Sequence, residues 1–100
     1  MTPELNILVV DDNEDLAINL RDILHEKGYR ATVALSGADA IQRCGTASFD
    51  LVLLDFNLPD MDGLQVQEQL SSLIQADYVI ITGYASVESA ASAVFRKEVV

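Results

Sequence analysis

Apolar residues in this chain gather in short unbroken runs separated by polar, periodic stretches. The runs are Ile7-Leu8-Val9-Val10, Thr32-Val33-Ala34-Leu35, Leu51-Val52-Leu53-Leu54 and Tyr78-Val79-Ile80-Ile81. Runs this short and β-branched read as buried strands. Three of them are continuous rather than alternating, as in a parallel sheet covered on both faces. Between them the spacing turns helical. From Glu14 to Lys27, Leu16, Leu20, Ile23 and Leu24 share a face, Asp11, Asp12 and Asn13 offer N-caps, and Gly28 suits the residue after the C-cap. A second helix is expected from a Ser36 cap to Cys44, with Ala40 and Ile41 facing in. A third is expected from Gly63 to Leu73, with Leu64, Val66, Leu70 and Leu73 apolar, and an alanine-rich fourth from Ser86 to Arg96. The order βαβαβαβα predicts an α/β fold with a parallel sheet.

With 100 residues the chain is one small domain, 1–100, with no linker or internal repeat. Its formal net charge is -10, and its bases, Arg21, Lys27, Arg30, Arg43, Arg96 and Lys97, are scattered along the sequence. Phosphate-backbone binding needs a basic patch, so nucleic acid is not an expected partner. Cys44 is the only cysteine, which forbids an internal disulfide and suits a reducing, cytoplasmic setting. The N-terminal residues lack the basic and apolar regions of a signal peptide, and no apolar run approaches a membrane span.

The polar residues that interrupt this pattern carry the chemistry. Asp11 and Asp12 follow the first strand, Asp55 ends the third and Thr82 ends the fourth. All fall at the carboxyl ends of their strands, the edge where open α/β sheets bind ligands. Three carboxylates in one crevice repel. Either their pKa values rise, or a hard divalent cation offsets the charge, Mg2+ being the usual partner of one or two carboxylates and phosphate oxygens. A metal would also make a carboxylate a feasible phosphoryl acceptor. Each feature has a plainer reading. Asp11, Asp12 and Asn13 can be helix caps, Asn57, Pro59, Asp60, Asp62 and Gly63 can be turn chemistry, and Thr82 is a good strand residue. Cys44 reads as a small core residue and His25 as a solvated or dipole-paired helix-end residue. The three acids meeting at one sheet edge are what the plain readings leave unexplained.

At this point the sequence resembles a known family. ILVVDDNEDL, LVLLDFNLPDMDGL and VIITGYAS look like the receiver domain of bacterial two-component response regulators. The resemblance spans essentially the whole chain. It implies a flavodoxin-like doubly wound parallel sheet of order 2-1-3-4-5. It implies Asp55 as phosphoacceptor, Asp12 as a direct Mg2+ ligand, Asp11 as a ligand through water, and the Asn57 backbone carbonyl as a further ligand. Thr82 resembles the hydroxyl residue that binds the phosphoryl group and shifts on activation. The implied partners are a sensor histidine kinase or phosphotransfer protein as donor and an output domain in a longer protein, and the implied role is a switch rather than an enzyme.

The family pattern continues with a fifth strand, a lysine followed by proline and a fifth helix, all of which would fall beyond Val100. Lys97 stands too early to be that lysine. The expectation is therefore a receiver cut short, with strand four open to pairing in a dimer or an exchanged element. Two other readings compete. One is a receiver-fold interaction module that works without phosphorylation, against which stand the retained Asp11, Asp12 and Asp55. The other is an aspartate-nucleophile phosphatase, but such enzymes carry an Asp-x-Asp pair after the first strand, where this chain has adjacent acids.

The resemblance places Asn57 and Tyr84 beside the path by which water would attack a phosphorylated Asp55. Attack must be in line with the bond broken, so a bulky Tyr84 should slow it. Tyr84→Ala is expected to speed loss of the phosphoryl group, measured as the decay of phosphorylated protein by intact mass. An unchanged or slower decay would count against this role.

Overall fold

Each of the four apolar runs falls in a strand, give or take a residue at its ends. A computed structural model describes residues 5–56 and 58–81. The elements are β1 (Asn6–Val10), α1 (Glu14–Glu26), β2 (Arg30–Ala34), α2 (Gly37–Thr46), β3 (Leu51–Asp55), α3 (Gly63–Ser71) and β4 (Asp77–Ile81). Asn57, Thr82, Tyr84, Lys97 and the expected fourth helix lie outside the described residues. No helix among the described residues is long and apolar enough to cross a membrane.

The four strands are parallel in the order β2-β1-β3-β4. This is the doubly wound arrangement that the family resemblance implied. The central strands explain the unbroken apolar runs. From Ile7 to Val10 and from Leu51 to Leu54 every side chain is buried, because helices cover both faces. On one face α1 packs Ala17, Leu20 and Leu24 against Ile7, Val9, Leu51, Leu53, Val79 and Ile81. On the other, α2 and α3 bring Ala40, Cys44, Val66 and Leu70 onto Leu8, Val10, Val52 and Leu54. Each such leucine or valine contributes about 1.5–3 kcal/mol relative to exposure.

Two expected faces need correction. In α3, Leu64 and Leu73 are exposed. The inward stripe is instead Gly63, Val66, Leu70 and, past the helix end, Ile74, spaced three or four apart so that one side meets the sheet. In α1 the fully buried positions are Ala17, Leu20 and Leu24, with Leu16 and Ile23 only partly covered.

The helix ends follow local chemistry. Asn13 alone of the three candidate residues caps α1, its side chain accepting from Leu16 N at 3.1 Å. At the other end, Gly28 takes φ 92°, which suits glycine. Gly28 N–H then bonds His25 O and Tyr29 N–H bonds Leu24 O, a Schellman closure. In α3, Asp62 and Gln65 bond each other's backbone in a capping box.

The start of α2 is satisfied from far away in sequence. Ser36 Oγ accepts from Asp39 N, while Asp60, in the loop between β3 and α3, accepts from Gly37 N and Ala38 N at 2.9 Å each. One carboxylate thus meets two orphan amides at the positive end of a helix. The loop can sit this close because residue 37 is glycine: a Cβ there would lie 2.5 Å from Met61 Cγ. These two amide bonds hold the Asp60 carboxyl below the usual carboxylate range. A lowered folded pKa stabilises above the unfolded value, near pH 4, and that contribution is lost as pH falls through the folded value. Asp60→Ala should therefore lower the urea midpoint at about pH 7, and the gap from wild type should narrow at about pH 3.

Candidate functional site

The site follows from register. β1 and β3 pair so that Val10 lies beside Leu54, which brings Asp11, the next residue, alongside Asp55 at the end of β3. From these two neighbours the chain departs in opposite directions, β1 toward β2 and β3 toward β4. The gap between their carboxyl ends is thus the point where strand order reverses and a crevice opens.

Asp11 is 4% exposed and Asp55 8%, the only buried charged side chains among the described residues. Asp12 is exposed at the rim. One carboxylate oxygen from each of the three lies within 4.8 Å of the other two. Asp11 is fixed on both sides: its N–H donates to Ala34 O at 3.0 Å, and its Oδ1 accepts from Asn13 N at 2.9 Å. Burial pushes its pKa from the usual 3.8 up to about 6, the Asn13 amide opposes the rise, and the neighbouring Asp55 and Asp12 charges add to it.

The backbone around Asp55 is equally constrained. Phe56 N–H donates to Ile81 O at 3.3 Å, and Gly63 N–H donates to Phe56 O at 2.8 Å. A Cβ on Gly63 would stand 3.0 Å from Phe56 Cα and 3.3 Å from Asp55 O, so the start of α3 rests directly on the backbone after the carboxylate. Gly63 and Asp60, read from sequence as turn residues, both fix this loop. Phe56 stays 40% exposed next to the buried acid.

Of the residues expected at the site, the fold brings together Asp11, Asp12 and Asp55. Asn57, Thr82 and Tyr84 lie outside the described residues, although Thr82 directly follows Ile81, the partner of Asp55 in the β3–β4 register. The donor set is all oxygen and carries up to three negative charges. It fits a hard cation such as Mg2+ or Ca2+ and is a poor match for metals that prefer nitrogen or sulfur.

A doubly wound parallel sheet with a buried, acid-flanked aspartate at its switch point defines an α/β domain built around an acidic ligand crevice. The chain belongs to the response regulator receiver domain family, whose model matches residues 7–98. Transcriptional regulatory protein ZraR of Salmonella typhimurium is 36% identical over 91 residues, covering 90% of this chain and 21% of that protein. Aerobic respiration control sensor protein ArcB of Escherichia coli K12 is 41% identical over 69 residues, 69% of this chain and 9% of ArcB. The chain thus spans about a fifth or less of these curated relatives. Among solved structures, response regulator TrrA of Thermotoga maritima, in complex with Mg2+-BeF, superposes with a TM-score of 0.75 at 31% identity, covering 96% of this chain and 84% of TrrA. A Burkholderia pseudomallei response regulator with a phosphorylated aspartic acid, a calcium ion and citrate gives 0.76 at 33% identity, over 92% of this chain and 55% of that one.

The raised pKa of Asp11 has a thermodynamic consequence. A carboxyl whose folded pKa is raised favours folding most below its unfolded pKa, and this advantage is lost as pH climbs through about 6. At neutral pH the metal-free crevice therefore carries an unfavourable charge. Asp11→Asn keeps the acceptor for Asn13 N–H and removes that charge. It should stabilise the metal-free protein by about 1–3 kcal/mol near pH 8 and by much less near pH 3, below the unfolded pKa. Thermal unfolding in a chelator at the two pH values checks this.

Proposed function

We propose that this chain is a phosphorylation switch in which Asp55 takes a phosphoryl group from a phosphohistidine on a sensor kinase or phosphotransfer protein. The observation that carries the reading is the meeting of Asp11, Asp12 and Asp55 at one switch point, with Asp55 buried at the end of a central strand. The Mg2+- and Ca2+-containing receivers among the structural neighbours support it.

A carboxylate oxygen of Asp55 attacks phosphorus in line with the phosphorus–nitrogen bond of the donor histidine. That bond breaks, its electron pair leaves with the imidazole nitrogen, and an aspartyl-phosphate forms. Mg2+, when bound, supplies positive charge that offsets repulsion between the carboxylate and the phosphoryl oxygens. Asp12, Asp55 and the Asn57 backbone carbonyl would hold it directly, and Asp11 through water. Fixed by Asn13 N–H and Ala34 O, the Asp11 segment needs no rearrangement to present its carboxylate. Thr82 would donate its hydroxyl to a phosphoryl oxygen and move with it. Water later cleaves the aspartyl-phosphate, so the chain turns over only its own modification and acts as a switch rather than an enzyme on other substrates. In a longer cytoplasmic protein the altered surface would act on an output domain.

Incubation with acetyl phosphate and Mg2+ should add one phosphoryl group by intact mass. Asp55→Asn should abolish the addition, and chelation of Mg2+ should reduce it at least tenfold. Wild-type labelling of Asp55→Asn would overturn the assignment.

A further inference from the structure

The strand β2 forms the outer edge of the described sheet, and its outer side is a groove rather than a plain surface. The groove has two lobes of about 390 and 410 Å3 that share His25, Ala31, Thr32 and Arg43. Its walls come from α1 on one side and α2 on the other. Arg21 lines one lobe and Arg30 the other. The chain has six lysines and arginines and one histidine. Four of these seven, scattered in sequence, line this single groove in a chain of net charge -10.

The floor of the groove is strand backbone. Arg30 N–H donates to Leu5 O and Ala34 O accepts from Asp11 N–H, so Arg30 and Ala34 direct their amide groups toward β1. By the two-residue alternation of a strand, Ala31 and Val33 direct theirs outward. His25 Nε2, 3.2 Å from Ala31 O, marks that outward direction. The edge thus offers backbone donors and an acceptor at Val33, with cationic side chains above and below.

We propose that this groove binds an extended acidic segment of a partner protein, which adds to β2 as a further strand. Strand addition supplies what the floor asks for, a donor and acceptor row in register. A fully ionised small anion has only acceptors and would not engage the Val33 carbonyl, which a strand's N–H can reach. The cations select carboxylate side chains. Arg21 already contacts Asp22 at 3.2 Å and Arg43 contacts Asp39 at 3.3 Å, but these are half-exposed pairs of the kind that bind weakly and exchange readily. The acidity of the rest of the surface is screened beyond about 8 Å at physiological salt, so the groove's own charges, the arginines with Asp22 and Asp39 beside two of them, set the local field.

The test uses a fluorescein-labelled eight-residue peptide of alternating glutamate and valine, with a lysine–valine peptide of the same length as control. Fluorescence anisotropy should show binding of the acidic peptide only, weakening as salt rises. The double variant Arg21→Glu, Arg43→Glu changes half-exposed side chains and should lower affinity about tenfold or more. Val33→Pro removes an outward N–H while sparing the inward bonds to β1, and should also weaken binding severalfold. Amide shifts in labelled protein should centre on β2. Equal binding of the basic peptide, unchanged affinity in the double variant, or shifts centred on Asp55 would overturn the proposal. Full displacement by tripolyphosphate with unchanged binding to Val33→Pro would also overturn it, in favour of a simple anion site. Should Val33→Pro fail to fold, the charge-reversal variant and the shift map decide.

Discussion

The in-register parallel pairing of β1 with β3 is the constraint on which the rest depends. It buries eight consecutive-run side chains, Ile7 to Val10 and Leu51 to Leu54, on two faces at once. Helices must then cover both faces, and the right-handed crossover rule sends β2 to one side and β4 to the other. The same pairing sets Asp11 next to Asp55. Two carboxylates are buried side by side because the register sets Val10 beside Leu54 and an aspartate follows each of them. Packing energy spread over the sheet thus holds together charges that would otherwise separate.

Much of this was legible in the sequence, for a physical reason. Central strands of a covered parallel sheet admit no polar residue, so their apolar runs are continuous and the acid that ends each run is conspicuous. Edge strands are less constrained. The strand Arg30–Ala34 begins two residues before its apolar run, with Arg30 exposed at its start. Helix faces were read less well than strands. Leu64 stands in the first turn of α3, exposed to solvent, while Ile74 is buried from beyond the helix end. Large residues draw the eye in a periodicity, yet Ala17 is fully buried against the sheet and Gly63 meets the Phe56 backbone.

Hydrogen bonds between segments were not legible at all. Asp60 bonds amides 22 and 23 positions away in sequence, and no local spacing distinguishes it from an ordinary turn aspartate. Likewise His25 sits at a helix end in sequence, but its ring contacts Ala31 O on the neighbouring strand edge. Such partners exist only once the sheet order is fixed.

The loop between β3 and α3 shows how the crevice is tied to the rest of the domain. Its start is bonded to β4 through Phe56 N–H, and its end presses Gly63 onto the Phe56 backbone. Its middle is held to α2 by Asp60 and by Met61 against Gly37. Each contact is backbone to backbone, carboxylate to amide, or side chain packed where a Cβ would not fit. None leaves slack. A displacement of the Phe56 backbone must therefore carry Gly63 with it or break the 2.8 Å bond between them, and a displacement of the loop's middle must uncover the first amides of α2. The Asp55 end of β3 is in this way continuous through contacts with the start of two helices on the same sheet face, while α1, on the opposite face, shares none of these contacts.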